Sequence, residues 1–145
     1  MTQQNIEEDD LEPLVFPSDF PDDTPPAAAI AANGIFFRIT NKEKPTKKCF
    51  RSDFEKNPDC VDLREGLKRV CSYGISLQNT IEGARETAGK FKNATIKRFI
   101  AQGTLHARVG VEMQTFRELY HHTLWPYANV ELHTLFTCYE AIQTK

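Results

Sequence analysis

The chain contains no apolar run approaching the roughly eighteen residues of a membrane-spanning helix, so a helical membrane protein is not expected. Its N-terminus also lacks the basic start and apolar stretch of a secretory signal, which makes a cytoplasmic location the expectation. Neither Cys-x-x-Cys nor His-Glu-x-x-His occurs, and these are the commonest zinc signatures. Glycine is scarce, at seven in 145 residues, and no glycine-rich loop precedes a helical pattern, which argues against a Rossmann-type dinucleotide fold. There is no internal repeat and no sustained heptad, so solenoids and coiled coils are excluded.

Basic residues are missing from one end of the chain. Residues 1–27 hold no Lys or Arg but eight of the 20 acidic side chains, so the remainder carries 18 basic against 12 acidic residues, a net of about +6 with histidine neutral. Five prolines in the same region (Pro13, Pro17, Pro21, Pro25 and Pro26) leave little that could form a ladder or a helix. Residues 1–32 therefore read as an acidic, disordered or extended tail, and residues 33–145 as one globular domain. Within the tail, Leu11 to Phe20 mixes apolar residues with acids and prolines, as in segments that dock in a groove of a partner or of their own domain. A composition 40% hydrophobic and 26% charged is enough for one core at this length.

The domain's periodicities alternate between strand and helix. Ile35 to Thr40 is aromatic and β-branched, which predicts a first strand with Ile35, Phe37 and Ile39 on one face and Phe36, Arg38 and Thr40 on the other. Pro45-Thr46 opens a turn or two of helix ending before Pro58. Asp62 and Glu65 suggest a capping box for a helix carrying Leu63, Leu67, Val70 and Cys71 up to Gly74. Ile75-Ser76-Leu77 reads as a short strand, and a helix follows from Thr80 to about Ala88. Further strands are predicted at 95–101, 109–116 and 130–137, with a turn at Gln102-Gly103. The fold class is α+β: a single compact domain with a mixed or antiparallel sheet and two or three helices.

Three of the four histidines, the only tryptophan and two of the four tyrosines fall between Tyr120 and His133. Tyr120, His121, His122, Trp125 and Tyr127 are the candidate binding residues, because aromatic and imidazole groups dominate contact surfaces. His121, His122, His133 and Cys138 are ligand types for zinc, but adjacent strand residues point to opposite faces, so no metal is assigned. Cys49, Cys60, Cys71 and Cys138 are expected as reduced, buried thiols. Ser76 lies in Gly74-Ile75-Ser76-Leu77-Gln78, which lacks the second glycine of a nucleophile elbow. The basic runs Lys42, Lys44, Lys47, Lys48, Arg51 and Lys90, Lys92, Lys97, Arg98 read as solvated faces, with weaker support for a nucleic-acid partner.

Two resemblances emerge from these residues. Pro45-Thr46, Asp53-Phe54, Cys71-Ser72-Tyr73-Gly74-Ile75-Ser76 and His121-His122-Thr123-Leu124-Trp125 resemble a loose pattern in small bacterial proteins, which implies a compact domain and no particular activity. Phe37-Arg38 on a first strand, followed by Gly74-Ile75-Ser76-Leu77 leading through Thr80 into a helix, is similar to ADP-ribosyltransferase-like and RES-type folds. That second resemblance implies an Arg38 that grips a dinucleotide, a Ser76 on the strand before the helix, and Glu131 as the acid beside an oxocarbenium-like centre. The chain has neither the Ser-Thr-Ser form nor a Glu-x-Glu pair.

The leading expectation is a small cytoplasmic bacterial protein that takes no cofactor. It would bind a protein partner through the Tyr120–Tyr127 segment and the acidic tail. The rival is an enzyme acting on NAD or a nucleotide, with Arg38, Ser76, Glu131 and His122 as catalytic residues converging on one pocket.

Overall fold

The structure, a computed structural model, describes residues 13–91 and 96–142. Residues 1–12 of the acidic tail, Lys92 and the predicted strand start at Thr95 lie outside the described residues.

Seven strands form one antiparallel sheet: β1 (Ile30–Ala31), β2 (Gly34–Thr40), β3 (Ile75–Gln78), β4 (Phe99–Leu105), β5 (Gly110–Gln114), β6 (His121–Pro126) and β7 (Phe136–Ala141). Their spatial order is β1-β5-β6-β3-β2-β4-β7. Among the described residues four short helices connect them: α1 (Asp53–Lys56), α2 (Pro58–Asp62), α3 (Gly66–Cys71) and α4 (Ile81–Gly89). Single 3₁₀ turns span Lys47–Phe50 and Leu132–Thr134. The α+β class and the single sheet agree with the sequence reading, with four helices where two or three are predicted.

Each face of the sheet is covered differently. On one face, Phe36, Ile75, Leu77, Ala101, Leu105 and Leu124 pack with Cys49 and Phe50 of the first 3₁₀ turn and Leu132 of the second. Each Leu, Ile or Phe among them, fully buried, contributes about 1.5–3 kcal/mol. On the other face, α4 lays Ala84 over Phe37 and Ile100, while Val61 and Val70 of the α2–α3 segment cover Trp125, Val111 and Met113. Strand alternation in β2 therefore divides its side chains as the sequence predicts.

Local chemistry accounts for the helix boundaries. Ser52 caps α1 by accepting from Glu55 N at 3.1 Å, and Glu55 Oε1 accepts from Ser52 N at 2.9 Å. The capping box thus sits at Ser52–Glu55, not at Asp62–Glu65. As predicted, a short helix ends before Pro58, and Pro58 then begins α2 at a first-turn position where its missing N–H costs nothing. The helix predicted through Leu63 and Leu67 is broken, because Gly66 adopts φ +62° and leaves Leu63 86% exposed. Thr80 caps α4, its hydroxyl accepting from Gly83 N at 2.9 Å.

Three further expectations are corrected. Gln102-Gly103 is not a turn but the middle of β4, where a Cβ at 103 would lie 2.7 Å from Leu135 O, so glycine serves close approach. The predicted strand 130–137 is a 3₁₀ turn followed by β7, which starts only at Phe136. Residues 13–32 are not a free tail: Phe16 stacks on Tyr127 at 4.7 Å, Phe20 meets Tyr73 edge-on at 5.9 Å, and β1 pairs with β5.

Candidate functional site

The sheet is nearly split in two. β2 pairs with β4 over seven positions, but with β3 only at Phe37↔Gln78. Beyond that single pair the strands part, and Arg38 fills the gap. Its Nη1 donates to Ser76 O at 2.7 Å and its Nε donates to Cys49 O at 3.0 Å, with the guanidinium carbon 5.8 Å from the Phe50 ring centroid. Burial pulls the Arg38 pKa down to about 10, which still leaves it charged at neutral pH. A guanidinium has five N–H groups, so three remain for other acceptors.

A groove of about 630 Å³ runs over this split. Seven cationic side chains line it: Arg38 from β2, Lys48 and Arg51 around the first 3₁₀ turn, Lys56, Arg64 and Lys68 from the α1–α3 segment, and Arg98 ahead of β4. Among the described residues Asp53 is the only carboxylate in the lining, and it is already held by Arg64 at 2.8 Å and Lys56 at 3.8 Å. Lys48, Arg51 and Lys68 have no ion-pair partner among the described residues. The groove is therefore strongly positive at neutral pH, a field that attracts anions.

The groove also holds polar atoms that the protein leaves unused. Gln78 is buried, and its Oε1 has no hydrogen-bond partner among the described residues; neither has Arg98 Nε. Such atoms cost free energy when left unsatisfied, so a pair of them in one groove points to a ligand that supplies partners.

A hydrogen-bonded chain lies on the groove floor. The register Ser76↔Thr123 and Gln78↔His121 puts all four side chains on one face. Ser76 Oγ is 2.6 Å from His121 Nε2, His121 Nδ1 is 2.9 Å from Thr115 Oγ1, and Thr115 Oγ1 is 2.8 Å from Thr123 Oγ1. Ser76 is exposed and His121 half-buried. Burial lowers the His121 pKa, so its neutral form prevails at pH 7. With the proton on Nδ1, His121 donates to Thr115 and its Nε2 accepts from the Ser76 hydroxyl, a tautomer that satisfies both ring nitrogens. Cys71 adjoins Thr123 and Thr115, and burial raises its pKa, which keeps the thiol protonated.

Aromatic rings occupy another part of the lining. Phe116 is 50% exposed at φ +65°, a conformation rare for a bulky residue, and its ring lies 5.5 Å from His121. Gln114 Nε2 holds this turn, its two N–H groups shared among the carbonyls of Thr115, Phe116 and Glu118 at 3.3, 3.1 and 3.0 Å. Phe91 is also exposed, with the Arg98 guanidinium carbon 4.1 Å from its ring centroid.

The candidates named from sequence separate into those inside the groove and those outside it. Arg38, Ser76 and His121 come together there. His122, adjacent to His121, points to the opposite face, where its Nδ1 is 2.6 Å from Glu112 Oε1 and its ring meets Phe36 edge-on. Glu131 does not line the groove; it is exposed and pairs with Lys47 at 3.7 Å. The convergence of Arg38, Ser76, Glu131 and His122 expected of the enzyme reading is thus limited to the first two.

The segment expected as a contact surface is largely internal. Trp125 is fully buried, with Nε1 donating to Val70 O at 3.1 Å. Tyr127 is half-buried under Phe16, and Tyr120 is half-buried with its ring over Gly83 and its hydroxyl donating to Glu86 at 2.7 Å. The reason is that residues 121–126 form β6, a strand interior to the sheet that the sequence pattern does not announce. Cys60 is exposed, contrary to expectation. Among the described residues no three His, Cys, Asp or Glu side chains are grouped to hold a metal ion, and no helix is long and apolar enough to cross a membrane.

Sequence reasoning missed His121 as the partner of Ser76, and also Gln78, Thr115 and Phe116. It read the two basic runs as separate solvated faces, whereas Lys48, Arg51 and Arg98 meet in one groove. Comparison of the chain with family models, with characterised proteins and with solved structures returned no match.

Proposed function

We propose that the groove binds a nucleotide or dinucleotide of the NAD class, with the phosphates at the cationic part of the lining and a base against Phe116 or Phe91. The observation that carries this reading is Arg38 in the β2–β3 split: among the described residues it is a half-buried guanidinium with no carboxylate partner and three N–H groups uncommitted, in a groove lined by seven cations and one carboxylate. Guanidinium groups suit phosphate because they present parallel donors, and exposed rings give a base a stacking surface. The unpartnered Gln78 Oε1 is an acceptor for a ribose hydroxyl or an amide N–H. The similarity to ADP-ribosyltransferase-like and RES-type folds, carried by Arg38 and Ser76, points to the same ligand class. The transfer chemistry implied by that similarity needs an acid, and Glu131 is not positioned in the groove to supply it.

Thermal unfolding with NAD, ADP-ribose, AMP and inorganic pyrophosphate tests the reading. A ligand at a hundredfold over its Kd should add about 2.7 kcal/mol to stability. Arg38→Met should abolish the shift, Lys68→Ala should reduce it, and added salt should weaken it. No shift with any of the four, or an equal shift in Arg38→Met, would overturn the proposal. Protein-partner binding through the Tyr120–Tyr127 segment has no comparable support, since Trp125 is unreachable from solvent.

A further inference from the structure

Resting on that reading of the groove, we infer that Ser76 is a nucleophile, with His121 as its general base, for cleavage of a phosphodiester or phosphoanhydride bond in a nucleotide-class substrate. The geometry meets the requirements of an activated nucleophile: an exposed hydroxyl, a base at 2.6 Å, and a third group, Thr115, that orients the base at 2.9 Å. Ser76 Oγ and His121 Nε2 meet diagonally across the β3–β6 pair, on strands held together over four paired positions. A merely structural serine on a solvent-exposed strand face has no need of a histidine whose second nitrogen is fixed by a threonine.

Phosphorus is favoured over a carbonyl carbon because of the surrounding charge. Arg38 donates to the backbone oxygen of Ser76 and lines the same groove, so the guanidinium charge acts on any phosphoryl group that the serine would attack. It can stabilise charge on the non-bridging oxygens of a phosphoryl group in its transition state.

The chemistry balances without any further reactant than water. Ser76 Oγ attacks phosphorus, a new O–P bond forms, and the bond from phosphorus to the leaving oxygen breaks. His121 Nε2 takes the serine proton and passes it to that leaving oxygen. Water then attacks the phosphoseryl intermediate, His121 takes the water proton, and the Ser76 Oγ–P bond breaks with return of the proton to Oγ.

Bis(4-nitrophenyl) phosphate is the probe, with release of 4-nitrophenolate as the rate readout and intact-protein mass followed by peptide mapping as the readout for a phosphoryl adduct. The wild type is expected to turn over and to carry the adduct on Ser76. Ser76→Ala should lose both, and His121→Gln should slow turnover by about 10²–10⁴-fold. Thr115→Val, which loosens the orientation of His121 and also removes the partner of the Thr123 hydroxyl, should lower the rate at saturation without changing KM. Melting temperatures within a few degrees of wild type separate these effects from misfolding. A wild type with neither turnover nor adduct, or a Ser76→Ala variant at the wild-type rate, overturns the inference. If ADP-ribose binds in an Arg38-dependent way while no adduct forms, the nucleophile fails and the groove reading stands. An adduct on Ser76 without any nucleotide binding supports the nucleophile and removes the nucleotide as its substrate.

Discussion

Removing the Trp125 indole should cost a large part of this protein's stability, because the residue is core and not contact surface. Trp125 is fully buried among Val61, Tyr73, Val111 and Met113, and its indole N–H donates to Val70 O at 3.1 Å, tying β6 to α3. Trp→Ala in such a setting costs about 3–5 kcal/mol in lost transfer energy and cavity, and the Val70 carbonyl loses its donor as well. We expect ~4 kcal/mol or more, a large share of the ~5–15 kcal/mol typical of a whole domain. For a chain of this size that corresponds to a fall of roughly 12 °C in Tm. Trp125→Phe keeps most of the buried ring and loses the N–H, and should cost ~1–2 kcal/mol. Far-UV circular dichroism melts and urea titrations measure both. The chain's single tryptophan offers an independent check: its native emission should be blue-shifted and protected from acrylamide. A Trp125→Ala protein melting within ~3 °C of wild type, or ready quenching of the native fluorescence, would refute the burial on which this prediction rests.

Three other outcomes follow from the same packing. Gly83→Ala should cost ~1–3 kcal/mol in thermal melts, because its Cβ would sit 2.3 Å from Tyr120 Cγ. Placing Tyr120→Ala in the same chain should recover much of that loss, and simple additivity of the two would count against a steric cause. Glu112→Ala should destabilise by about 1–3 kcal/mol in urea titrations, since it leaves the largely buried His122 Nδ1 without its 2.6 Å partner; a change under ~0.5 kcal/mol would mean that the pair contributes nothing. Acidification should weaken the fold through His121. Its native pKa lies below the ordinary value of 6.5, mainly through burial, so as pH falls through 6.5 the unfolded chain takes up a proton that the native state refuses, and stability drops. His121→Gln should remove that component, so the wild-type and variant stability-versus-pH curves should diverge below pH 6.5 and run parallel above it. Parallel curves throughout would show that His121 titrates alike in both states.

Sequence periodicity by itself determined the elements whose signals are local. The alternation Ile35–Thr40 marked β2 and its faces, Thr80 with the apolar positions after it marked α4, and the α+β class followed from the succession of such patterns. It failed where a residue's meaning depends on what approaches it through space. Gly103 reads as a turn until Leu135 O and the Phe136 ring close in on it, and His121-His122 reads as a polar surface until β6 is placed between β3 and β5. The β6 placement buries Trp125 and sends the two imidazoles to opposite faces, one toward Glu112 and the other toward Ser76.

The groove was decided by tertiary structure alone. Arg38 meets Ser76 across 38 residues of sequence, and Ser76 meets His121 across 45. Composition recorded the excess of basic residues but not their convergence, because that depends on a strand pairing that stops after Phe37↔Gln78 and leaves room for a guanidinium. Periodicity reports which face a side chain takes within its own element. Which distant element shares that face is settled by the pairing and packing of the whole sheet, and in this protein that pairing makes the site.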